Sequence, residues 1–246
     1  MLSWVILRLG LRQRQTVVSK LDRLNESRAI FHAMRLDPAM AHHAARHIID
    51  LYDRRATDWD RDRGKVLMEK GWLDKFVALL PSGGSILDIG CGSGDPVARY
   101  LIQQSYRVIG LDSSQRMIAM CERRFPDNEW IVADMRTIDL GRTYDGLLAW
   151  DSTFHLTPED QEAVFSTFAR HAHPGTAMMF TSGPEHGEAI GSWRGDELYH
   201  ASLAPAEYRA ALEANGFEIV DHVVEDETCG RHTVWLARAH GPSSPA

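Results

Sequence analysis

The chain has 246 residues, 44% hydrophobic and 25% charged, which is enough to bury a large core and is typical of a globular protein. Its net charge of −7 argues against a nucleic-acid partner, because nucleic-acid binders usually present a basic face. Three scattered cysteines provide neither a disulfide framework nor a zinc ribbon, so we expect a reducing, cytoplasmic location.

Residues 1–37 are predicted to be a basic, loosely held extension. Residues 1–36 contain seven Arg or Lys and two Asp or Glu, whereas the rest of the chain is acidic. The opening stretch MLSWVILRLG is too short to span a membrane and lacks the features of a signal peptide. A basic amphipathic segment could instead touch a membrane surface. At the other end, residues 241–246 are predicted to be a disordered tail.

Helical periodicity begins at about residue 38 and continues to the Gly at position 64. Four residues at spacings of 4, 3 and 4 share one helical face: Tyr52, Ala56, Trp59 and Arg63. This stripe either packs on the domain or turns its aromatic rings and its cation toward a ligand. His43 and His47 are four residues apart, but no acid or cysteine completes a zinc site, so we expect a solvated helix face and no metal.

Strands and helices alternate from residue 85 onward. The continuous apolar run SILDI suits a strand that is buried on both faces. Six further strands are predicted at RVIGLD, EWIVAD, YDGLLAW, AMMFTS, EIVDHVVED and HTVWLARA. This alternation predicts an α/β fold with a doubly wound, mostly parallel, seven-stranded sheet and an N-terminal helical extension. A short link joins the last two strands, so we expect the last strand to be antiparallel.

Three glycines directly follow the first strand, in the stretch SILDIGCGSGDP. Gly90, Gly92 and Gly94 permit a sharp turn into the next helix and a close approach of a ligand to the main chain. Asp112 ends the second strand 22 residues after Gly90, near the ~20-residue distance at which an acid bonds ribose hydroxyls. The carboxyl edge of the sheet is therefore predicted to bind a nucleoside.

Acids around the glycines argue against a bound pyrophosphate. Asp95 stands where dinucleotide-binding sequences have their third glycine, and Asp88 adds negative charge two residues before Gly90. Such a pocket favours a ligand with cationic groups. S-adenosylmethionine is such a ligand, since it carries a sulfonium, an ammonium and a ribose.

The segment ILDIGCGSG resembles motif I of the class I S-adenosylmethionine-dependent methyltransferases. VIGLDSS resembles motif II, WIVADM resembles motif III and YDGLLAWDSTFHL resembles motif IV, in the same order. The resemblance implies a Rossmann-like methyltransferase domain over residues 38–240, with an N-terminal helical lid over residues 38–80. It also implies methyl transfer from S-adenosylmethionine to an N, O or S atom of a small molecule, with release of S-adenosylhomocysteine.

The resemblance also implies which residues bind the cofactor. The three glycines would line its methionine part, Asp112 would hold the ribose, and Asp134 with the Met135 N–H would bond the adenine. Asp88 would act on the ammonium through the loop or a water. Met117 would pack under the adenine or serve the core of its helix. The full set of candidates is Tyr52, Trp59, Arg63, Asp88, Gly90, Gly92, Gly94, Asp112, Ser113, Met117, Asp134, Met135 and Trp150.

The methyl acceptor is expected beside the loops that follow the fourth and fifth strands. The family's motif for methylating bases in nucleic acid is absent, because AWDSTF stands in its place, and this favours a small-molecule acceptor. A glycine-rich loop after the fifth strand is predicted to carry specificity or to pack as a flap. The candidate residues are Trp150, Asp151, His155, Glu185, His186, Trp193, Tyr199 and His200.

His155 is the candidate general base, because a neutral imidazole can take up a proton near neutral pH. Asp151, four residues earlier, could orient its ring, and His186 is the rival base. The alternative is a loop histidine that bonds to the backbone. Two other functions stay open, namely a cyclase that releases methylthioadenosine and a non-catalytic partner subunit that binds the cofactor. The chain is expected to be a monomer or a homodimer.

Overall fold

The computed structural model describes residues 38–240, with side chains from residue 43 onward. The predicted basic extension and the predicted tail therefore lie outside the described residues. The helices are α1 (Pro38–Arg54), α2 (Ala56–Arg63), α3 (Lys70–Val77), α4 (Val97–Gln103), α5 (Gln115–Arg124), α6 (Pro158–Ala169) and α7 (Pro205–Ala214), with short 3₁₀ turns at Thr153–His155 and Glu227–Cys229. Within this part of the chain, no helix has the length and apolar character that crossing a membrane requires.

Seven strands form one sheet in the order β3-β2-β1-β4-β5-β9-β8. These strands are β1 (Ser85–Ile89), β2 (Arg107–Asp112), β3 (Glu129–Val132), β4 (Tyr144–Ala149), β5 (Ala172–Ser182), β8 (Phe217–Asp226) and β9 (His232–Ala239). β1 to β5 pair in parallel, whereas β9 runs antiparallel between β5 and β8. The predicted seven-stranded sheet with an antiparallel last strand is confirmed. Strand order reverses between β1 and β4, where open α/β sheets bind ligands.

The central strands are buried because helices cover both faces of the sheet. All five residues of β1 are buried, as its continuous apolar run predicts. Successive side chains of a strand point to opposite faces, so Ile86 joins the core beneath α3 and α4, with Phe76. Leu87 joins the opposite core beneath α6 and α7, with Phe165. This packing holds the carboxyl ends of the strands in place.

Side-chain N-caps begin two helices beside the ligand edge. The Ser114 hydroxyl accepts a hydrogen bond from the Met117 N–H at 3.1 Å and begins α5. Thr157 begins α6 in the same way, with Pro158 at the first helical position. These local contacts set where each helix leaves the sheet edge.

The helix predicted to run continuously to residue 64 is two helices. α1 ends at Arg54 and α2 begins at Ala56, because Arg55 has φ −101° and ψ 12°, outside the helical region. Hydrogen bonds still cross the break, since the Arg55 N–H donates to the Leu51 carbonyl and the Trp59 N–H donates to the Arg55 carbonyl. The stripe of residues predicted for one helix is thus shared by two.

The glycine-rich segment after β5 is a β-hairpin, and the prediction of a loop is wrong. β6 (Gly187–Trp193) and β7 (Asp196–Ser202) pair antiparallel along their whole length. Arg194 and Gly195 form the turn with φ of 54° and 86°, as a two-residue turn with both central residues left-handed requires. An arginine before the glycine is not a recognised hairpin signal, so the pattern was missed. α1 packs on this hairpin, with Ala44 beside Tyr199.

Candidate functional site

A main cavity opens at the carboxyl ends of β1 to β4, beside the point where the strand order reverses. Of the candidate cofactor residues, it is lined by Tyr52, Trp59, Gly90, Gly92, Asp112, Ser113, Met117, Asp134 and Met135. An adjoining side cavity is lined by Arg63, Asp88 and Trp150, and it shares Trp59, Gly90 and Asp151 with the main cavity. The fold therefore brings residues far apart in sequence to one continuous site.

Gly90 and Gly92 form the floor on which the two cavities meet. The Gly90 N–H donates to the Leu111 carbonyl at 2.7 Å, which draws the turn against β2. Both glycines have positive φ, 77° and 55°. A Cβ on Gly90 would lie 2.3 Å from the Cβ of Ser152, and one on Gly92 would lie 2.8 Å from the ring of Trp59. Both positions therefore require glycine, for backbone conformation and for space.

Gly94 and Cys91 belong to the same glycine turn, and Cys91 lines the side cavity. Gly94 lines neither cavity, and a Cβ there would lie 3.2 Å from the ring of Phe125 and 3.3 Å from the sulfur of Cys121. Burial raises the pKa of the Cys91 thiol, so this thiol has no tendency to ionise. Gly94 packs against α5, and Cys91 has no property that would make it a nucleophile.

Asp112 ends β2 with its carboxylate held by the main chain. The Gly92 N–H donates to one oxygen at 2.9 Å, and the Ser114 N–H donates to the other at 2.8 Å. Burial raises the pKa of Asp112, although these two hydrogen bonds lower it. Each carboxylate oxygen can accept a second hydrogen bond, so the group is oriented to receive hydroxyls.

Asp134 and Met117, the two side chains predicted to contact the adenine, both line the main cavity. The Asp134 carboxylate accepts hydrogen bonds from the N–H and the guanidinium of Arg136, which also donates to Asp160 at 3.0 Å. Burial raises the pKa of Asp134, but the paired guanidinium lowers it overall. Met117 is 1% exposed while lining the cavity, so it serves the core and the cavity wall together.

Three buried polar atoms beside the side cavity have no hydrogen-bond partner among the described residues. They are Asp88 Oδ2, Trp150 Nε1 and Glu69 Oε2. Burial, followed by the charge of Asp112, raises the pKa of Asp88 to about 7. Arg63 lies at the same cavity and pairs with the other oxygen of Glu69. Unpartnered buried donors and acceptors are costly, so this cavity is suited to a ligand group that carries both.

His155 connects α1 to the hairpin. Its Nδ1 lies 2.8 Å from the Tyr199 carbonyl oxygen, and its Nε2 lies 2.8 Å from the Tyr52 hydroxyl. A carbonyl oxygen can only accept, so Nδ1 carries the proton and Nε2 accepts from Tyr52. Burial lowers the pKa of His155 to about 4, despite an opposing contribution from the Tyr199 carbonyl. The ring is therefore neutral, and both of its nitrogens are occupied.

Asp151 contacts His232, so the prediction that it orients His155 is wrong. Nε2 of His232 lies 3.0 Å from one carboxylate oxygen and 3.2 Å from the other, and Nδ1 lies 2.7 Å from the Cys229 carbonyl oxygen. Thr181 accepts from the Asp151 N–H at 2.9 Å and donates to its carboxylate at 3.2 Å. Asp151 has a φ of 51°, which non-glycine residues rarely adopt. These contacts hold a strained residue where the cavities meet.

The remaining acceptor-side candidates divide into two groups. His186 and Glu185 are exposed and line neither cavity, and His186 bonds to Glu207 at 2.8 Å. Trp193 stacks on Tyr52 with ring centroids 6.1 Å apart, and the ring of His200 lies 5.0 Å from that of His155. The structure brings the hairpin to the site but not the segment before it.

Two acids that the sequence analysis missed dock α1 and α2 onto the domain. Asp53 accepts from the Ser114 hydroxyl at 2.8 Å, and Asp60 accepts from the Ser93 hydroxyl at 2.6 Å and from Arg124 at 2.6 Å. In the sequence, a spacing of seven residues is typical of one helical face, and this pattern could have indicated that the two acids contact the same surface. His232 and Thr181 carried no such signal, because their partner is distant in sequence.

The two histidines considered for zinc face away from these contacts. His43 and His47 are exposed, and the ring of His47 bonds to the His43 carbonyl oxygen at 2.7 Å. Among the side chains that the structure describes, no group of three or more His, Cys, Asp or Glu is placed to hold a metal ion.

Comparison with known proteins relates the chain to methyltransferases. Residues 86–175 match a family model described as a methyltransferase domain. The chain is 30% identical over 132 residues to the dTDP-4-amino-2,3,4,6-tetradeoxy-D-glucose N,N-dimethyltransferase of Saccharopolyspora spinosa, covering 51% of this chain and 50% of the relative. It is 29% identical over 101 residues to the dTDP-3-amino-3,4,6-trideoxy-alpha-D-glucopyranose N,N-dimethyltransferase of Streptomyces venezuelae, covering 40% and 42%. The chain thus spans half or less of these curated relatives.

Solved structures share the architecture over more of the chain. The 1,6-didemethyltoxoflavin-N1-methyltransferase of Burkholderia thailandensis, with 1,6-didemethyltoxoflavin and S-adenosylhomocysteine bound, superposes with a TM-score of 0.66. The sequence identity is 17%, and the match covers 85% of this chain and 94% of that one. At 17% identity, this structural similarity shows that the two proteins share a fold and no more than that.

Proposed function

Because the chain belongs to the class I S-adenosylmethionine-dependent methyltransferase family, we propose that it transfers a methyl group from S-adenosylmethionine to a small molecule. The observation that carries this proposal is the pair of joined cavities at the strand-order reversal. The main cavity presents the oriented carboxylate of Asp112, and the side cavity presents the unpartnered carboxylate of Asp88. A ligand with a nucleoside at one end and an amino acid at the other would place its ribose near Asp112 and its ammonium near Asp88.

The residues present fit S-adenosylmethionine. Asp112 would accept the ribose hydroxyls, and Asp134 and Met135 would border the adenine. Asp88 and Arg63 would hold the ammonium and the carboxylate of the amino-acid end. When bound, the cofactor supplies an electrophilic methyl group on a positively charged sulfur.

The charge of the site supports a cationic ligand. Asp88, Asp112 and Asp151 all face the joined cavities. In a site shielded from water, opposite charges attract more strongly than they do in bulk solvent. The three carboxylates therefore favour a sulfonium and an ammonium over a pyrophosphate.

α1 and α2 would keep water from the reacting atoms. Trp59 lies over Gly92, and the Tyr52 hydroxyl is held by His155. The neutral, occupied ring of His155 favours a role in positioning Tyr52 over the role of general base that we predicted. His186 contributes to neither role from its exposed position.

The relatives support a small-molecule acceptor. The Saccharopolyspora spinosa and Streptomyces venezuelae proteins are named for methylating the amino groups of dTDP-linked sugars. The Burkholderia thailandensis structure contains a small heterocyclic molecule beside S-adenosylhomocysteine. The cytoplasmic location, the metal-independent reaction and the monomeric or homodimeric state stay predictions.

The test combines binding with product analysis. We expect calorimetry to detect binding of S-adenosylmethionine and S-adenosylhomocysteine to the full chain. Incubation with methyl-labelled cofactor and a panel of small amines, alcohols and thiols should then move label to one acceptor. Release of methylthioadenosine would instead support cyclisation, and binding without any product would support the non-catalytic alternative. A folded protein that binds neither molecule would refute the proposal.

A further inference from the structure

Asp151, which lines both cavities, and His232 form a partly buried ion pair. We propose that the methyl acceptor is an amine whose N–H groups bind the Asp151 carboxylate, and that His232 is a positioning residue that holds this carboxylate in place. The inference rests on the proposed function and deepens it by naming the class of acceptor.

The position of Asp151 is the first support. It lines both cavities, so a ligand that spans them would pass beside it. The Thr181 hydroxyl accepts a hydrogen bond from the Asp151 N–H and donates one to its carboxylate. His232 contacts both carboxylate oxygens. A carboxylate held by two side chains is a rigid acceptor of hydrogen bonds.

The contacts of His232 establish its charge. Its two ring nitrogens face the Cys229 carbonyl and the Asp151 carboxylate, and both of these groups can only accept. Both nitrogens must therefore donate, so the ring is an imidazolium and Asp151 is its carboxylate partner. Arg63 and Glu69 complete the charged surroundings, with Glu69 favouring the imidazolium.

The titration of the pair agrees with this geometry. Burial opposes the charge of His232, but Asp151 outweighs it and raises the pKa of the imidazole to about 9. Burial likewise opposes the charge of Asp151, and His232 outweighs it and lowers the pKa of the carboxyl. Both groups therefore stay charged at neutral pH.

These charges favour an amine over a hydroxyl or a carboxylate as acceptor. A hydroxyl must lose its proton, but the imidazolium of His232 cannot take one and ionised Asp151 is a weak base. Nε2 of His155, the ring nitrogen that could accept a proton, already accepts a hydrogen bond from the Tyr52 hydroxyl. A carboxylate would be repelled by Asp151.

An amine needs no protein base, because its own lone pair forms the new N–C bond. The electron pair of the broken C–S bond stays on sulfur, and the nitrogen afterwards loses one proton to water. While the lone pair points toward the methyl group, the remaining N–H groups are free to donate to Asp151. A charged amine can also bind to Asp151, and it then releases one proton to water to expose the lone pair before the N–C bond forms.

The first test follows the imidazole of His232 by NMR. In the full chain saturated with S-adenosylhomocysteine, we expect this ring to titrate at about 9, and its signal is assigned by its absence in His232→Gln. Asp151→Asn should lower that value by roughly one unit or more, because the ring loses its ion pair. Glu207→Gln, which removes the partner of exposed His186, is the matched control and should not move it. A His232 ring that titrates near ~6.5 in the unaltered protein, or that Asp151→Asn leaves in place, would overturn the pair.

The second test compares three probes of one shape, cyclohexylamine, cyclohexanol and cyclohexanecarboxylate. Calorimetry measures the binding of each probe to the S-adenosylhomocysteine complex. The amine should bind more tightly than the other two by roughly tenfold or more, because it makes a charge-assisted hydrogen bond. Asp151→Asn should remove this preference, and His232→Gln should weaken it.

The outcomes separate this inference from the proposed function. Equal or tighter binding of the alcohol or the carboxylate, or no response to the amine, overturns the assignment of an amine acceptor. If S-adenosylhomocysteine itself fails to bind in calorimetry, the proposed function fails first.

Discussion

His155 is neutral and His232 is positively charged at neutral pH, although burial affects both rings. The partner of each ring decides the difference. His155 bonds to a hydroxyl that can donate, so one nitrogen can stay unprotonated, whereas His232 faces a carboxylate that can only accept. Burial acts on both rings in the same direction, against the charged form. One ion pair is enough to reverse that effect at His232.

Replacing Asp112 by alanine should weaken binding of S-adenosylhomocysteine. A carboxylate that accepts ribose hydroxyls contributes ~2–3 kcal/mol, which corresponds to roughly 30- to 150-fold in affinity. Calorimetry on Asp112→Ala measures this loss, and circular dichroism checks that the variant is folded. Asp127→Ala, at an exposed position outside both cavities, is the control. Unchanged affinity in folded Asp112→Ala would contradict the ribose assignment.

Asp88 should make cofactor binding depend on pH. Its pKa of about 7 means that the free protein holds a proton there in mild acid, and a cationic ligand must displace it. Affinity for S-adenosylhomocysteine should therefore fall as the pH decreases from 7.5 to 5.5, by up to about tenfold per pH unit below the pKa. Calorimetry across this range should show the dependence in the unaltered protein and its loss in Asp88→Asn. A flat profile in both would place the ammonium away from Asp88.

At the scale of elements, α1, α2 and the hairpin contact one another beside the site, as the proposed cover over the cofactor requires. Arg55 of the α1–α2 junction donates to Asp196 at 2.9 Å, and Arg194 in the hairpin turn donates to Asp62 at 2.7 Å. Exposed ion pairs of this kind stabilise weakly, typically by less than ~1 kcal/mol each. The aromatic contacts of Tyr52 and Trp59 therefore contribute more of the closure than the ion pairs do.

Removing the ring of Trp59 should open both cavities to water. Loss of a largely buried aromatic contact costs ~2 kcal/mol, so Trp59→Ala should weaken S-adenosylhomocysteine binding by roughly 10- to 100-fold and speed its dissociation. Stopped-flow fluorescence measures the dissociation rate, and Trp59→Phe should retain most of the affinity. Tighter binding by Trp59→Ala would show that the ring occupies the place of the ligand instead of covering it.

For the whole molecule, partly buried histidines link stability to pH. Burial lowers the pKa of His155 to about 4, and burial with the nearby His155 lowers that of His200 to about 3. Below the ordinary imidazole value of ~6.5, the unfolded chain binds protons that the folded chain excludes, so stability falls as the pH falls. His232 acts in the opposite sense, since its raised pKa makes stability fall as the pH rises from ~6.5 to about 9.

The free energy of unfolding should therefore be largest near neutral pH. Between pH 6.5 and 4, His155 alone should remove up to ~3 kcal/mol, and His155→Gln should lessen this loss because an amide does not titrate. Urea unfolding at pH 4.5, 7 and 9 measures the effect, with exposed His47→Gln as the control. An identical acid dependence in His155→Gln and the unaltered protein would contradict a neutral, buried ring.

The sequence by itself determined the sheet, its antiparallel last strand, and the position of the glycine turn and Asp112. These features depend on short-range patterns, such as apolar runs and glycine spacing. Local sterics and hydrogen bonding act within a few residues, so such patterns can be recognised without the fold. The same reasoning missed the hairpin, because its turn at Arg194 and Gly195 has no recognised local signal.

Only the tertiary structure decided which side chains are partners and which are charged. Asp151 was matched with His155 on a spacing of four residues, but folding places it against His232, 81 residues away along the chain. The occupied nitrogens of His155 and the exposed position of His186 were likewise invisible in the sequence. The physical reason is that pKa and hydrogen bonding depend on burial and on the groups nearby in space, and both are set by long-range packing.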